Sequence, residues 1–226
     1  MTQMRILACL ICLTCSGCSV HLFSGVRNID RTRPIALIDV RDQASKLGAT
    51  TEEGIVFLDQ EGAKGPCRVH YFLAGDLLVE DGTIEPLGGV FSRARIDLKT
   101  QAVPVLRREL TEDDQLLALL LVGHSVERVH VSLTRHPAVK GYALDWPGRD
   151  LPRGTAIFTY GTGRSSGDLI FVGLASGMAT LNSGGAKTRF ITFAGPARMR
   201  EALTHAKLMF RKHEIKHRPD GITISR

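Results

Sequence analysis

Short runs of alternating apolar and polar residues, separated by glycine-rich turns, constrain the fold of this chain more than any other feature. Segments 67–73 and 126–133 both alternate in this way. Such a period of two is typical of a half-buried β-strand, because successive side chains point to opposite faces of the sheet. Further strands are predicted at 35–40, 54–59, 90–98, 155–160, 168–174 and 188–194. The sequence therefore predicts roughly eight or nine short strands in mixed or mainly antiparallel sheets.

A short helix is predicted near 112–122. The hydroxyl of Thr111 can cap its first turn, the three acidic residues that follow suit the positive end of the helix dipole, and Gly123 offers a stop. The leucine-rich segment between these signals predicts a helix that is buried on most sides.

A longer amphipathic helix is predicted near 196–217, close to the C-terminus. Pro196 is tolerated in a first turn, and Pro219 follows the end of the pattern. Its apolar residues recur at steps of three and four, which places them on one face. The predicted fold class is therefore β-rich α+β, with two helices that cover sheet faces.

The first eighteen residues have the order of a secretory signal. Arg5 is the only charge, an apolar run follows at 6–13, and Ser16 and Gly17 are small. The apolar run is far shorter than the roughly twenty residues that a membrane-spanning helix needs. We therefore expect the chain to be exported without a membrane-spanning helix.

The sequence Ser16-Gly17-Cys18 resembles the lipobox of bacterial lipoprotein precursors. The resemblance implies a signal peptide at 1–17, a lipidated Cys18 with a tether at 18–33, and a single globular domain at 34–226. It also implies anchoring in the cell envelope by fatty acyl groups, and Ser19 favours the outer over the inner membrane of a Gram-negative cell. The alternative is cleavage to a free secreted protein.

Four of the five cysteines lie in this opening segment, so Cys67 is the only other one. With Cys18 lipidated, Cys67 has no partner for a disulfide. Its place on the apolar side of segment 67–73 predicts a small core residue and not a nucleophile.

Positive charge is concentrated near the C-terminus. The chain carries a formal net charge of +6, and segment 195–226 holds eight Lys or Arg against three acidic residues. Because the chain is predicted to be exported, we expect no nucleic acid partner; anionic lipid head groups or an acidic envelope polymer fit instead. The candidate contacts are Arg211, Lys212, Lys216 and Arg218. The alternative is a basic helix face that is merely solvated, and a protein partner is not identified.

His213, Glu214 and His217 match the H-E-x-x-H pattern of zinc peptidases. On a helix the two histidines can share one zinc ion while the glutamate activates its bound water. Lys216 between the ligands opposes a dication, and few residues follow to supply a third ligand. We therefore expect no metal and no other cofactor.

Segment 163–167 matches the G-x-S-x-G pattern, with Ser165 as the nucleophile. That chemistry requires a strand before the serine, a helix after it, and an acid and a histidine that activate it. The residues after the motif predict a strand, so a hairpin loop is expected here.

The sequence favours a membrane-anchored envelope lipoprotein that acts as a non-catalytic binding or scaffolding module. The alternative is an exported hydrolase, either of serine type through Ser165 or of zinc type through His213, Glu214 and His217.

Overall fold

The computed structural model describes residues 34–73, 76–97, 102–122, 125–134, 143–161, 168–183 and 185–216. These residues form thirteen strands and one helix. In chain order they are β1 (Ile35–Val40), β2 (Lys46–Thr51), β3 (Gly54–Leu58), β4 (Gly65–Leu73), β5 (Asp76–Gly88), β6 (Phe91–Arg95), β7 (Leu116–Val122), β8 (Ser125–Val131), β9 (Leu133–Thr134), β10 (Ala143–Asp145), β11 (Ala156–Tyr160), β12 (Leu169–Ser183), β13 (Ala186–Ala194) and α1 (Pro196–Lys216).

The first six strands close into an antiparallel barrel with the order β1-β2-β3-β6-β5-β4. Strand β1 closes it by pairing with both β2 and β4. Closure removes unpaired sheet edges, and alternate side chains then fill the interior. Phe57 and Tyr71 are the largest of these buried side chains. Cys67 is confirmed as a buried core residue with a free thiol.

The remaining strands form a seven-stranded antiparallel sheet with the order β8-β7-β11-β12-β13-β10-β9. Its central strands are apolar on both faces. In β7, Leu117 and Leu119 belong to the core that the sheet shares with the barrel, whereas Leu116 and Leu120 belong to a second core on the other face.

The barrel and the second sheet share a core and a connecting segment. Val103 pairs with Thr51 of the barrel, and Val105 pairs with Phe171 of the second sheet. The shared core includes Val56, Leu58, Leu87 and Phe91 from the barrel and Leu117, Phe158, Phe171 and Leu174 from the sheet. The two β units are therefore packed as one body.

Helix α1 covers part of this shared core. Met199, Ala202 and Ala206 lie three or four residues apart and are buried in it, as expected for one face of a helix. The longer helix predicted near 196–217 is thus found, at Pro196–Lys216. Among the described residues, no helix combines the length and hydropathy needed to cross a bilayer.

The predicted α+β class with two helices is wrong, because the chain is mostly β. The helix predicted near 112–122 is strand β7 instead. Thr111 and Asp114 do bond to each other, but they form a turn before the strand: the Thr111 amide donates to Asp114 Oδ2 at 2.8 Å, and the Asp114 amide donates to the Thr111 carbonyl. A strand that is buried on both faces reads as a continuous apolar run, which periodicity does not separate from a buried helix.

Candidate functional site

A groove of about 410 Å³ lies where the barrel meets the second sheet. We call it the junction groove. Its walls are the start of β2, the end of β3 and the loop before β11, and it is lined by Ala44, Ser45, Lys46, Leu47, Leu58, Gln60, Glu61, Pro152, Arg153 and Gly154. The two units approach closely here: a Cβ on Gly154, whose φ is +88°, would lie 3.1 Å from the Leu47 carbonyl oxygen. Glycine therefore permits the approach.

A buried carboxylate lies beside the groove. The side chain of Asp59 has no exposed surface, and its Oδ1 lies 2.9 Å from Nζ of Lys46. Ser92 Oγ donates to the same carboxylate at 3.2 Å, and the amides of Ala63 and Glu61 donate at 2.6 Å and 3.2 Å. Burial alone would raise the pKa of Asp59, but the hydrogen bond and charge of Lys46 and the two amides outweigh it and hold that pKa below its ordinary value. The ion pair thus has the hydrogen bonds that a buried charge requires.

The rim of the groove carries polar groups of both signs. Gln60, Glu61 and Arg153 are exposed. In the part of the chain that the structure describes, the carboxylate of Glu61 and the guanidinium of Arg153 have no ion-pair partner. Both groups face solvent at the rim.

Ser45 is the serine that lines the groove, and its neighbours do not activate it. Its Oγ donates to Asp39 Oδ1 at 2.5 Å. Nε2 of His70 lies 2.8 Å from Asp39 Oδ2, in a geometry that is not that of a hydrogen bond. A catalytic triad needs the histidine between the serine and the acid, whereas here the acid lies between the serine and the histidine. This cluster is not arranged to generate a nucleophile.

Ser165 lies outside the described residues, but the base of its loop is described. The Gly161 amide donates to the Asp168 carbonyl at 2.8 Å, and β11 leads into the antiparallel strand β12. The described segments on either side of the motif are thus two paired antiparallel strands. Gly154 at the junction groove precedes β11 and Gly161 follows it, so the loop base and the groove lie at opposite ends of this five-residue strand.

The other predicted site residues lie at or beyond the limits of the description. The backbone of α1 continues through Arg211, Lys212, His213, Glu214 and Lys216, whose side chains are outside the described residues. Cys18, His217 and Arg218 are outside them altogether. Within the described residues, no group of three or more His, Cys, Asp or Glu side chains is placed to share a metal ion.

Sequence reasoning missed the junction groove. Lys46 and Asp59 come from adjacent strands, and β2 was not predicted because KLGATT lacks a clear apolar alternation. The available signal was Asp59 itself, a carboxylate placed directly after the apolar run of β3.

Comparisons with known proteins give structural likeness only. No protein-family model and no curated protein matches the chain. A serine protease of human pathogenic astrovirus is similar over 75% of this chain and 98% of its own, at 10% identity and a TM-score of 0.48. A serine endoprotease from Yersinia pestis covers 80% of this chain and 66% of its own, at 10% identity and a TM-score of 0.45. An HtrA-type protease with a tripeptide is similar over 86% of this chain and 64% of its own, at 15% identity and a TM-score of 0.43.

The likeness concerns the arrangement of strands, and at these identities and TM-scores it assigns no activity to this chain.

Proposed function

We propose that this chain is a lipid-anchored envelope protein whose junction groove binds a polypeptide segment of a partner without cleaving it. The observation that carries the proposal is the groove itself: a cavity between two β units, beside a fully paired buried carboxylate, with exposed charged groups of both signs at its rim. Ligand sites occur preferentially at such boundaries between structural units.

A polypeptide segment fits the chemistry of the lining. Leu47, Leu58 and Pro152 supply apolar contact, while Glu61 and Arg153 can each pair with an opposite charge. A strongly acidic or strongly basic ligand would be repelled by one side of the rim. An extended segment that carries charges of both signs and apolar side chains would complement the apolar contacts and both charged groups of the rim.

Within the described residues, the absence of an activated nucleophile supports binding without cleavage. Three histidines have described side chains, namely His70, His130 and His205. In the described part of the chain, no hydrogen bond joins any of them to a serine. A serine hydrolase needs that contact to generate its nucleophile.

Membrane anchoring is the second part of the proposal. It rests on the lipobox at Cys18, and the basic residues near the end of α1 would add attraction to anionic head groups or to an acidic envelope polymer. Mass spectrometry of the mature N-terminus tests it. A diacylated or triacylated Cys18 is expected, and an unmodified N-terminus would contradict the anchor.

The hydrolase alternative has its own direct tests. Labelling of Ser165 by a fluorophosphonate would establish the serine type. For the zinc type, about one equivalent of zinc should copurify with the protein and be lost on His217→Ala. Either result would replace the binding proposal.

The groove is tested by photo-crosslinking in the native envelope. With p-benzoylphenylalanine at position 60, on the groove rim, we expect a discrete adduct with a partner polypeptide. The matched control is position 187, which is exposed, lies outside the lining, and pairs with Asn182, seven positions along β12 from Ala175 beside Gly154. Equal labelling at both positions, or none at position 60, would contradict binding in the groove.

A further inference from the structure

A second cavity, of about 320 Å³, lies between α1 and the turn that joins β5 to β6. We call it the helix cavity. It is lined by Gly88, Gly89, Val90, Phe91, Arg198, Glu201, Ala202 and His205. None of these residues lines the junction groove.

The helix cavity has an apolar floor and an ionisable rim. Phe91 and Ala202 are buried at its base. Arg198, Glu201 and His205 are exposed and follow one another at three and four residues along α1, so they share one helix face. Among the described residues, none of these three side chains has a hydrogen-bond or ion-pair partner.

The turn between β5 and β6 lies against one of these rim groups. A Cβ on Gly88 would lie 3.3 Å from Nδ1 of His205, closer than side chains ordinarily approach. The φ of Gly88 is +126°, a conformation that residues other than glycine rarely adopt. The imidazole therefore lies against the turn backbone at the edge of the cavity.

We propose that the helix cavity binds an α-carboxylate that has an apolar side chain and an adjacent N–H group. The planar guanidinium of Arg198 can hold the carboxylate through two hydrogen bonds, with an N–H of His205 as a further donor. Glu201 accepts the hydrogen bond of the N–H group, and the apolar side chain contacts Phe91 and Ala202. A free apolar amino acid and the C-terminal residue of a polypeptide share this chemistry.

Nuclear magnetic resonance titration of the purified full-length chain tests the proposal, with the Gly89 amide and the Ala202 methyl group as reporters. The probes are leucine, N-acetyl-leucine and N-acetyl-leucinamide at millimolar concentration. The first two are expected to bind and the third, which lacks a carboxylate, is not. Tighter binding of leucine identifies a free amino acid, and equal or tighter binding of N-acetyl-leucine identifies a chain terminus.

Substitutions on the exposed face of α1 supply the second arm. Arg198→Gln is expected to weaken binding of the carboxylate probes by about tenfold or more, because it removes a charge-assisted pair. Arg198→Lys keeps the charge and loses the planar donor pair. Its affinity for the carboxylate probes should lie between those of the native chain and Arg198→Gln. Lys207→Gln, on the same helix but outside the lining, should leave affinity unchanged.

Glu201→Gln should weaken the binding of leucine more than that of N-acetyl-leucine, because only leucine brings a positive charge to this carboxylate. The proposal is overturned if no probe shifts the reporter resonances, if N-acetyl-leucinamide binds as tightly as the acids, or if folded Arg198→Gln binds like the native chain.

Discussion

Nζ of Lys46, at the start of β2, lies 2.9 Å from Oδ1 of Asp59, directly after β3, and the pair joins two neighbouring strands at the edge of the junction groove. The Asp59 side chain is fully buried and that of Lys46 is 20% exposed. Because removal of one partner leaves the other charge uncompensated, Lys46→Met should lower the free energy of unfolding by about 3 kcal/mol. Urea denaturation measures this loss.

The control for that substitution is Lys64→Met, at an exposed lysine with no described ion pair, which should change stability by less than about 0.5 kcal/mol. A double-mutant cycle with Asp59→Asn then isolates the coupling of the pair. Equal effects of Lys46→Met and Lys64→Met would show that the pair contributes nothing.

The same carboxylate predicts a loss of stability in acid. The pKa of Asp59 is held below its ordinary value in the folded chain, so its contribution is fully present above the unfolded pKa of about 3.9. That contribution is lost as pH falls through the lower, folded pKa, because the unfolded chain then binds more protons. Urea denaturation below about pH 4 should show a shallower decline for Asp59→Asn than for the native chain. Parallel declines would contradict the assignment.

Asp114 should behave in the same way. Hydrogen bonds from Arg108, opposed by burial, hold the pKa of Asp114 below its ordinary value. Replacing both Asp59 and Asp114 with Asn should make the decline of the free energy of unfolding below about pH 4 shallower than either single substitution does.

Gly173 in β12 lies against the backbone that enters α1. A Cβ at this position would lie 2.1 Å from the Ala194 carbonyl oxygen, which no side-chain rotation can relieve. Gly173→Ala should therefore cost about 3 kcal/mol or more, measured by thermal or urea unfolding. Gly177→Ala on the same strand is the matched control, because its Cβ would meet only Thr192 Oγ1 at 3.7 Å. Similar stabilities of the two variants would show that the backbone contact is not tight.

The basic end of α1 predicts salt-sensitive association of the unlipidated chain with vesicles that contain anionic lipid. Charge reversal of Arg211 and Lys212 should weaken this association about tenfold or more, since each basic residue near an anionic surface contributes about 1 kcal/mol. Sedimentation at two salt concentrations measures it. Equal association with neutral and anionic vesicles would indicate a helix that is merely solvated.

Several strands were predictable from the sequence, either as alternating segments or as short apolar runs. Strand β1 has the predicted bounds, and α1 begins at Pro196 as its apolar spacing indicates. Strand β5 was not predicted because Asp, Glu, Gly and Pro along DLLVEDGTIEPLG are disfavoured in strands, yet pairing with both β4 and β6 holds it in the barrel.

Helix and strand were not separated in the leucine-rich segment of β7, which is buried on both faces and carries capping signals before and after it. The leucines of β7 pack into two cores, and the apolar pattern of a segment does not show how many of its faces will be buried. The same limit applies to the sites. Lys46 and Asp59 become neighbours only through the register of β2 and β3, and His205 meets Gly88 only through the packing of α1 on β5. Long-range pairing of this kind has no local signature.

The most direct test of binding in the junction groove is photo-crosslinking from position 60 in the native envelope, with and without Arg153→Glu. The account predicts an adduct that contains an intact partner polypeptide and that is strongly reduced by Arg153→Glu, while Lys187→Glu, at an exposed lysine outside the lining, leaves it unchanged. An adduct that is insensitive to Arg153→Glu, or one that contains a cleaved partner together with fluorophosphonate labelling of the chain, would contradict it.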